Sequence, residues 1–385
     1  MRSTATSLPL SLLSRELYRD ALEALAGLPE TPLVLWKRGA ALHGLNRHDE
    51  ALAVLELACG QLQPRDKTLC GIDIALTLIK ASRLGEATAR LATCRGAFAG
   101  HPAGLAICDL LELAARQRAG DHRAFLVAYQ PLCARLRELG QPAWAGHGLS
   151  LAAMAHRALG DFAAGEALAA TTLPEAQRLD LTYRQAHLLY TVAVCRQELG
   201  DSDGAAERCA RARALSERSG GALLLADIVL LEGIIETVRG RHLEAIGAFK
   251  RAEAIYRPLA YPTGAAQAQI NRGTVHFIRS ELQSAGAAFR AAIGTATRFQ
   301  SLQMLGSAEL NLGAVYTSLS EYATAKDLFL QALAHFEAVG ATTSMAQAAA
   351  FAAAVCPENE FDALVVRAED ALRRCGPSLH RSVAQ

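Results

Sequence analysis

His147 and His187 stand 40 residues apart in a chain of 385. On neighbouring helices of a repeat, two imidazoles could share a metal ion, but a tetrahedral site wants more ligands. Ordinary, partly exposed histidines are the simpler reading. His242-Leu243-Glu244 has the H-x-E spelling of zinc-dependent deamination sites. The P-C-x-x-C partner is missing, and the triplet falls where a helix should begin. Acid–base work would need acids in one column of adjacent units. Glu309 has only Gln269 and Val229 at its place in the two preceding units. No P-loop, G-x-S-x-G, H-E-x-x-H or G-x-G-x-x-G occurs. The expectation is a protein without a catalytic residue, a metal site or a cofactor, and therefore not an enzyme.

Composition narrows the field further. There are 39 basic and 38 acidic residues, a net charge of +1. No overall field favours direct contact with nucleic acid or an anionic membrane. Nine cysteines are scattered without C-x-x-C spacing or regular pairing, which reads as buried, reduced thiols in a cytoplasmic protein. The N-terminal apolar run is cut short by Arg15 and Glu16, too soon for a secretory signal, and a transit peptide has little support. The longest uncharged stretch, Ala338 to Pro357, is alanine, threonine and serine, not the leucine-like run of a membrane span. No segment alternates as a strand, and alanine-rich, aromatic-poor sequence suits tight helix-on-helix packing.

The elements that must position any site are clearest between Ala308 and Gly340. Two amphipathic helices flank a turn at Ser320-Glu321-Tyr322, with Gly313 and Tyr316 on the first and Ala325, Phe329 and Ala332 on the second. One such pair cannot bury its own apolar face, so neighbours must exist. Steps of 40 residues find them: Gly313, Gly273, Gly233; Ala325, Ala285, Ala245, Ala205; Phe329, Phe289, Phe249 and then Cys209. The turns read Ser320, Ser280, Gly240, Gly200, Gly160 and Gly120 without an insertion. A glycine after a helix can take the left-handed cap conformation.

These small and aromatic columns resemble the tetratricopeptide (TPR) repeat. The longer period of about 40 is similar to that of spindle-orientation adaptors, peptide-sensing regulators and the sensor domains of LuxR-type regulators. The resemblance implies an all-α, right-handed superhelical solenoid. Residues 1–12 read as a flexible leader, 13–375 as the solenoid with regular repeats from about 105 to 340 and degenerate caps at both ends, and 376–385 as a flexible tail. The stretch Gly96 to Gly104 reads as a loop from its Gly and Pro content. Phe361, Leu364, Val365 and Ala368 form the apolar face of the last helix.

In such solenoids the first helices line the concave side. One inward column is Ser150, Tyr190, Leu230, Ile270 and Leu310; the next is Met154, Val194, Ile234, Thr274 and Ala314. Both are neutral and mostly apolar, which suits an amphipathic helix, an extended peptide or the protein's own tail, although packing between repeats explains some of these residues equally well. Asn271 and Asn311 occupy the place at which the resembling adaptor and sensor families hold a bound peptide's backbone. An amide can donate to a carbonyl and accept from an N–H at once; solvated polar residues are the simpler alternative. The expected partner surface is therefore Asn271, Asn311, Tyr190, Leu230, Ile234, Ile270, Thr274 and Leu310. The expected function is a non-catalytic scaffold that binds a protein or peptide, with self-association as a further option. The alternative is a sensor module that binds a signal peptide or small ligand and controls an effector such as a transcription regulator.

Overall fold

A computed structural model describes residues 7–374, and among them every element is an α-helix. Two short helices come first, α1 (Ser7–Ser14) and α2 (Tyr18–Ala26). Nine helix pairs follow: α3 (Pro32–Gly44) with α4 (His48–Gln61), α5 (Pro64–Lys80) with α6 (Leu84–Ala97), and α7 (Pro102–Arg118) with α8 (His122–Glu138). Next are α9 (Pro142–Ala158) with α10 (Phe162–Arg178), α11 (Thr182–Glu198) with α12 (Ser202–Ser219), and α13 (Ala222–Val238) with α14 (His242–Tyr256). The last are α15 (Pro262–Ile278) with α16 (Leu282–Arg298), α17 (Leu302–Ser318) with α18 (Tyr322–Val339), and α19 (Thr342–Val355) with α20 (Glu358–Arg374).

Local chemistry sets the boundaries. Proline occupies the first turn of α3, α5, α7, α9 and α15, where its missing N–H has no helical partner to lose. Asp121, Asp161 and Asp201 accept from the backbone N–H of Ala124, Ala164 and Gly204 at 3.2, 3.4 and 2.8 Å, capping α8, α10 and α12. The turns repeat every 20 residues. Positive φ occurs at Gly100, Gly120, Gly140, Gly160, Asp180, Gly200, Gly220, Gly240, Ala260, Ser280, Gln300, Ser320 and Gly340. The sequence columns expose the turn inside each pair; those between pairs, from Gly100 to Gly340, share the same left-handed geometry.

The chain divides into two compact units, Met1–Leu231 and Glu232–Gln385, with the boundary inside α13. In the second unit the glycine and phenylalanine columns interlock. A Cβ on Gly233, Gly273 or Gly313 would stand 2.5 Å from a ring atom of Phe249, Phe289 or Phe329 respectively. The small residue is what lets the ring lie on the first helix. Ala245, Ala285 and Ala325 are fully buried beside those rings. In the first unit one continuous core runs from Leu35 and Trp36 through Ile74, Leu110 and Phe125 to Ala152.

Three sequence expectations change. Gly96 and Gly104 are helical, and only 98–101 is non-helical; the ring of Phe98 packs where a Cβ on Gly104 would be, so this glycine serves packing. Helix α1 begins at Ser7, inside the expected leader. Phe361 is 47% exposed, while Leu364 and Ala368 are buried. Residues 1–6 of the leader and the tail 376–385 lie outside the described residues. The cysteines of the described residues are free thiols, all buried except the half-buried Cys356. Burial pushes Cys108, Cys133 and Cys195 up to about 11, which keeps them protonated and unreactive. No described helix is long and apolar enough to cross a membrane.

Candidate functional site

In the first unit the odd-numbered helices from α3 to α11 each touch the next odd-numbered one as well as their flanking partners. They form its inner layer. Unlike the columns expected from sequence, this layer is rich in polar groups. Lys80 ends α5, His147 lies on α9, and Tyr183, Arg184, His187 and Tyr190 lie on α11. All are half-buried.

Tyr183 sits at the centre. Its ring lies 5.9 Å edge-on from Tyr18, 6.4 Å from the stacked ring of His187, and 5.4 Å from the Lys80 ammonium. Gly221 makes room for it, since a Cβ there would meet the ring at 2.8 Å. Further along α11, Arg157 lies 5.5 Å over the Tyr190 ring. His43 on α3 is 2.9 Å through Nδ1 from the Thr77 hydroxyl. That hydroxyl donates to the Asp73 carbonyl at 2.6 Å, so it must accept from His43, whose Nδ1 carries the proton.

A clasp closes this unit. The N-terminal segment reaches α11, about 165 residues away in sequence. Leu181 cannot cap α11 with its side chain. Arg15 and Glu16 do so from a distance: the Thr182 N–H donates to the Arg15 carbonyl at 3.0 Å, and the Arg184 N–H donates to Glu16 Oε2 at 2.7 Å. Arg184 Nη2 donates to Glu16 Oε1 at 3.2 Å, and Arg15 pairs with Asp180. Gly220 permits the approach, because a Cβ there would stand 2.7 Å from the Arg19 Cβ.

Enclosure shapes the charges of the inner layer. Desolvation, aided by the positive charges of Arg157, Lys80 and Arg184, holds His187 down at about 3. Desolvation first, then Arg184 and Lys80, hold His147 well below the ordinary histidine value, and desolvation with Lys80 does the same to His43. These imidazoles are neutral at physiological pH. Desolvation lowers Lys80 to about 8 against the pull of Glu16, and raises Tyr190 to about 12. Among the described residues no three His, Cys, Asp or Glu side chains form a metal-holding group. A cavity of about 350 Å³ lies elsewhere, among Leu52, Glu56, Leu78, Arg83, Glu86 and Arg90. Its charges are already matched as Arg83–Glu86 and Arg90–Glu56.

The residues expected from sequence divide between the units. Tyr190 and Leu230 are half-buried in the first. In the second, Ile234, Asn271, Thr274 and Asn311 are half-buried, whereas Ile270 and Leu310 are only 5% and 7% exposed. Ile270 packs with Phe289 and Leu312, and Leu310 with Phe329 and Leu333. Those two therefore stiffen the repeats and present little surface. The asparagines are partly engaged within their own helices: Gln267 donates to Asn271 Oδ1, and Asn311 Nδ2 donates to the Ser307 carbonyl, both at 2.8 Å. The Asn271 amide hydrogens and Asn311 Oδ1 stay open. Sequence reasoning missed Lys80, Tyr183, Arg184 and Glu16. The available signal was the column His147, His187, Asp227, Gln267, Ser307, polar at every step.

No family model matches the chain, and no curated protein matches it in sequence. Solved structures do match in fold. A Rap protein complexed with competence and sporulation factor superposes with a TM-score of 0.53 at 14% identity, over 87% of this chain and 100% of its own. A signal-transduction ATPase with numerous domains from Pyrococcus horikoshii, which carries a tetratricopeptide repeat sensor, gives 0.59 at 12% identity, over 95% of this chain and 57% of its own. The fold is a TPR-type helical solenoid.

Proposed function

We propose that this chain is a non-catalytic binding module that holds a peptide or an extended protein segment on the inner layer of its first unit. The observation that carries the reading is the meeting of Tyr183 with His187 on α11 and with Lys80 from α5, and the Tyr190 ring two turns further along α11, all half-buried. Aromatic side chains with part of their surface open are the residue types that anchor partners. The Rap protein of similar fold is complexed with competence and sporulation factor, which fits the same use here. In the second unit, Asn271, Asn311, Thr274 and Ile234 offer a further contact surface, with Ile270 and Leu310 behind it.

The sensor alternative is favoured by the clasp. A segment held at α11 by Glu16, Arg15 and Tyr18 is a contact that a ligand on the same helix could loosen, and so report its own binding. Such a change requires different affinities for the clasped and released states.

The test is selection of a displayed random-peptide library on the full chain. Enriched peptides should compete with one another. Tyr183→Ala or Tyr190→Ala should weaken them roughly tenfold to a hundredfold, the scale of a lost aromatic anchor, without lowering helicity. Asn271→Ala with Asn311→Ala should weaken only peptides that are indifferent to the two tyrosine changes. No enrichment, or binding indifferent to both tyrosines, would sink the reading.

A further inference from the structure

The most unusual group of the inner layer is Lys80. Among the described residues its ammonium has no hydrogen-bond or ion-pair partner, only the Tyr183 ring at 5.4 Å. Its own charge is felt by four histidines on four different inner or adjoining elements: His43 on α3, His48 on α4, His147 on α9 and His187 on α11. Arg184 and Arg118 lie within its electrostatic reach as well.

The acids of this region are largely spent elsewhere. Glu16 is the one carboxylate with a marked pull on Lys80, and both of its oxygens are taken by Arg184, one by the backbone N–H and one by the guanidinium. Asp73 accepts from Trp36 Nε1 at 2.7 Å and faces Lys37. Asp227 acts on Tyr183 and Tyr190. A desolvated cation among further cations and neutral imidazoles is costly unless an anion joins it.

We propose that the inner layer around Lys80 is a recognition site for a carboxylate carried by the bound peptide, so that the first unit selects acidic segments. This rests on the peptide-binding reading above. The carboxylate would be met by the Lys80 ammonium, with Arg118 and the Tyr183 hydroxyl as neighbouring donors. The Glu16–Arg184 contact shows how the chain itself seats a carboxylate at the residue next to Tyr183. Entry of a negative charge favours the protonated ammonium, so Lys80, lowered by burial to about 8, would gain proton occupancy as the ligand binds. Glu16, Arg184 and Arg118 act on Lys80; the histidines around it are acted on by Lys80, Arg157, Arg184, His48 and one another, and these positive charges with burial keep them neutral.

The experiment is calorimetric titration of the full chain with hexaglutamate, hexaglutamine and inorganic phosphate, in two buffers of different ionisation heat. Hexaglutamate should bind with a small net proton uptake near pH 8, where Lys80 titrates. Hexaglutamine and phosphate should each bind at least tenfold more weakly. Lys80→Met should cost at least tenfold for hexaglutamate, and Lys80→Arg should restore most of it; a thermal melt of each variant confirms the fold. The inference is overturned if hexaglutamate fails to bind at millimolar concentration, if hexaglutamine binds equally well, or if a folded Lys80→Met binds hexaglutamate unchanged. Phosphate binding as tight as hexaglutamate overturns the assignment to a peptide carboxylate. Library peptides that depend on Tyr183 and Tyr190 but ignore Lys80 and carry no acids would remove this inference and leave the binding module standing.

Discussion

The two units use the same helix pair to different ends. In the second, each first-helix glycine receives the ring of its own phenylalanine, three times over. Its buried charges are matched: Glu253 accepts from Gln269, Arg257 and Arg272 at 2.7–2.8 Å, and Glu309 meets His335 at 2.7 Å. In the first, Cys209 and Ala169 stand where the rings would be. The inner layer carries an unmatched lysine and neutral histidines, and a clasp from the N-terminal segment closes it. Regular columns build a scaffold that satisfies itself. Where the columns break, Lys80 faces inward with only an aromatic ring beside it among the described residues, and that is where the proposed ligand would act.

The sharpest way to break this contrast is to damage the scaffold where it is regular. Phe289→Ala removes a ring that is 1% exposed and should cost about 3–5 kcal/mol. Both tryptophans of the chain, Trp36 and Trp144, lie in the first unit. Far-ultraviolet circular dichroism therefore reads both units, while tryptophan fluorescence reads the first alone. The loss should appear in the dichroism transition. A variant whose dichroism melt matches the parent would mean that the glycine–phenylalanine interlock is not what holds the second unit.

Acid should do the reverse. His187, at about 3, and His48, at about 4, sit below the ordinary histidine value, as do His43 and His147. Between about pH 6.5 and those lower values the unfolded chain binds protons that the folded chain refuses. Stability of the first unit is therefore complete above about pH 6.5 and falls as pH drops through that window. With four histidines and solvent screening in the groove, the loss between pH 7 and 5.5 should be roughly 2–3 kcal/mol. In the second unit burial shifts Glu309 upward, so its term has the opposite sign: stability falls as pH rises above the ordinary glutamate value. Tryptophan-detected melts at the two pH values check the first unit, and no acid-induced loss there would contradict neutral, enclosed imidazoles.

A smaller change tests the clasp. Glu16→Gln keeps the shape but removes the charge that holds Arg184. It should cost roughly 2 kcal/mol, the scale of a hydrogen bond to a charged group, and hydrogen exchange should quicken at the start of α11. Unchanged protection of the amides at 182–185 would show that the clasp does not hold that helix.

The fold was legible in the sequence because packing repeats. A column such as Ala245, Ala285, Ala325 recurs at one spacing and can be counted. The acids after the turn glycines likewise signal caps. The site was only half legible. Tyr190 lies on a regular inner column and can be picked out from sequence, whereas His147 and His187 share a column but read there as ordinary, partly exposed histidines. Lys80 ends α5, just before the turn at Ser82, which stands 36 residues after the turn at Asn46 and 38 before that at Gly120, so the 40-residue register cannot be extrapolated to it. Glu16 meets Arg184 across 168 residues, a contact that no local pattern encodes. Ile270 and Leu310 share a column with Tyr190 but are buried, because the side chains filling the gap to the next helix differ from repeat to repeat.

The smallest expected effect concerns the turns themselves. Positive φ recurs at every twentieth residue from Gly100 to Gly340, yet Asp180, Ala260, Ser280, Gln300 and Ser320 are not glycine. A side chain in the left-handed region costs about 1–2 kcal/mol, against which glycine adds about 0.4–1 kcal/mol of freedom to the unfolded chain. Ala260 is exposed and has φ of +49°, so Ala260→Gly removes strain without opening a cavity. It should stabilise the second unit by roughly 0.5 kcal/mol. The mirror change in the first unit is Gly200→Ala, at φ +87° with open space around the new Cβ. It should destabilise by a similar amount, since nothing but the backbone resists it. Asp180 is the position where this exchange should fail. Its φ of +52° carries the same strain, but its carboxylate pairs with Arg15 of the clasp. Asp180→Gly should therefore gain less than Ala260→Gly, and a full gain at Asp180 would mean that the Arg15 pair contributes nothing to holding the N-terminal segment in place.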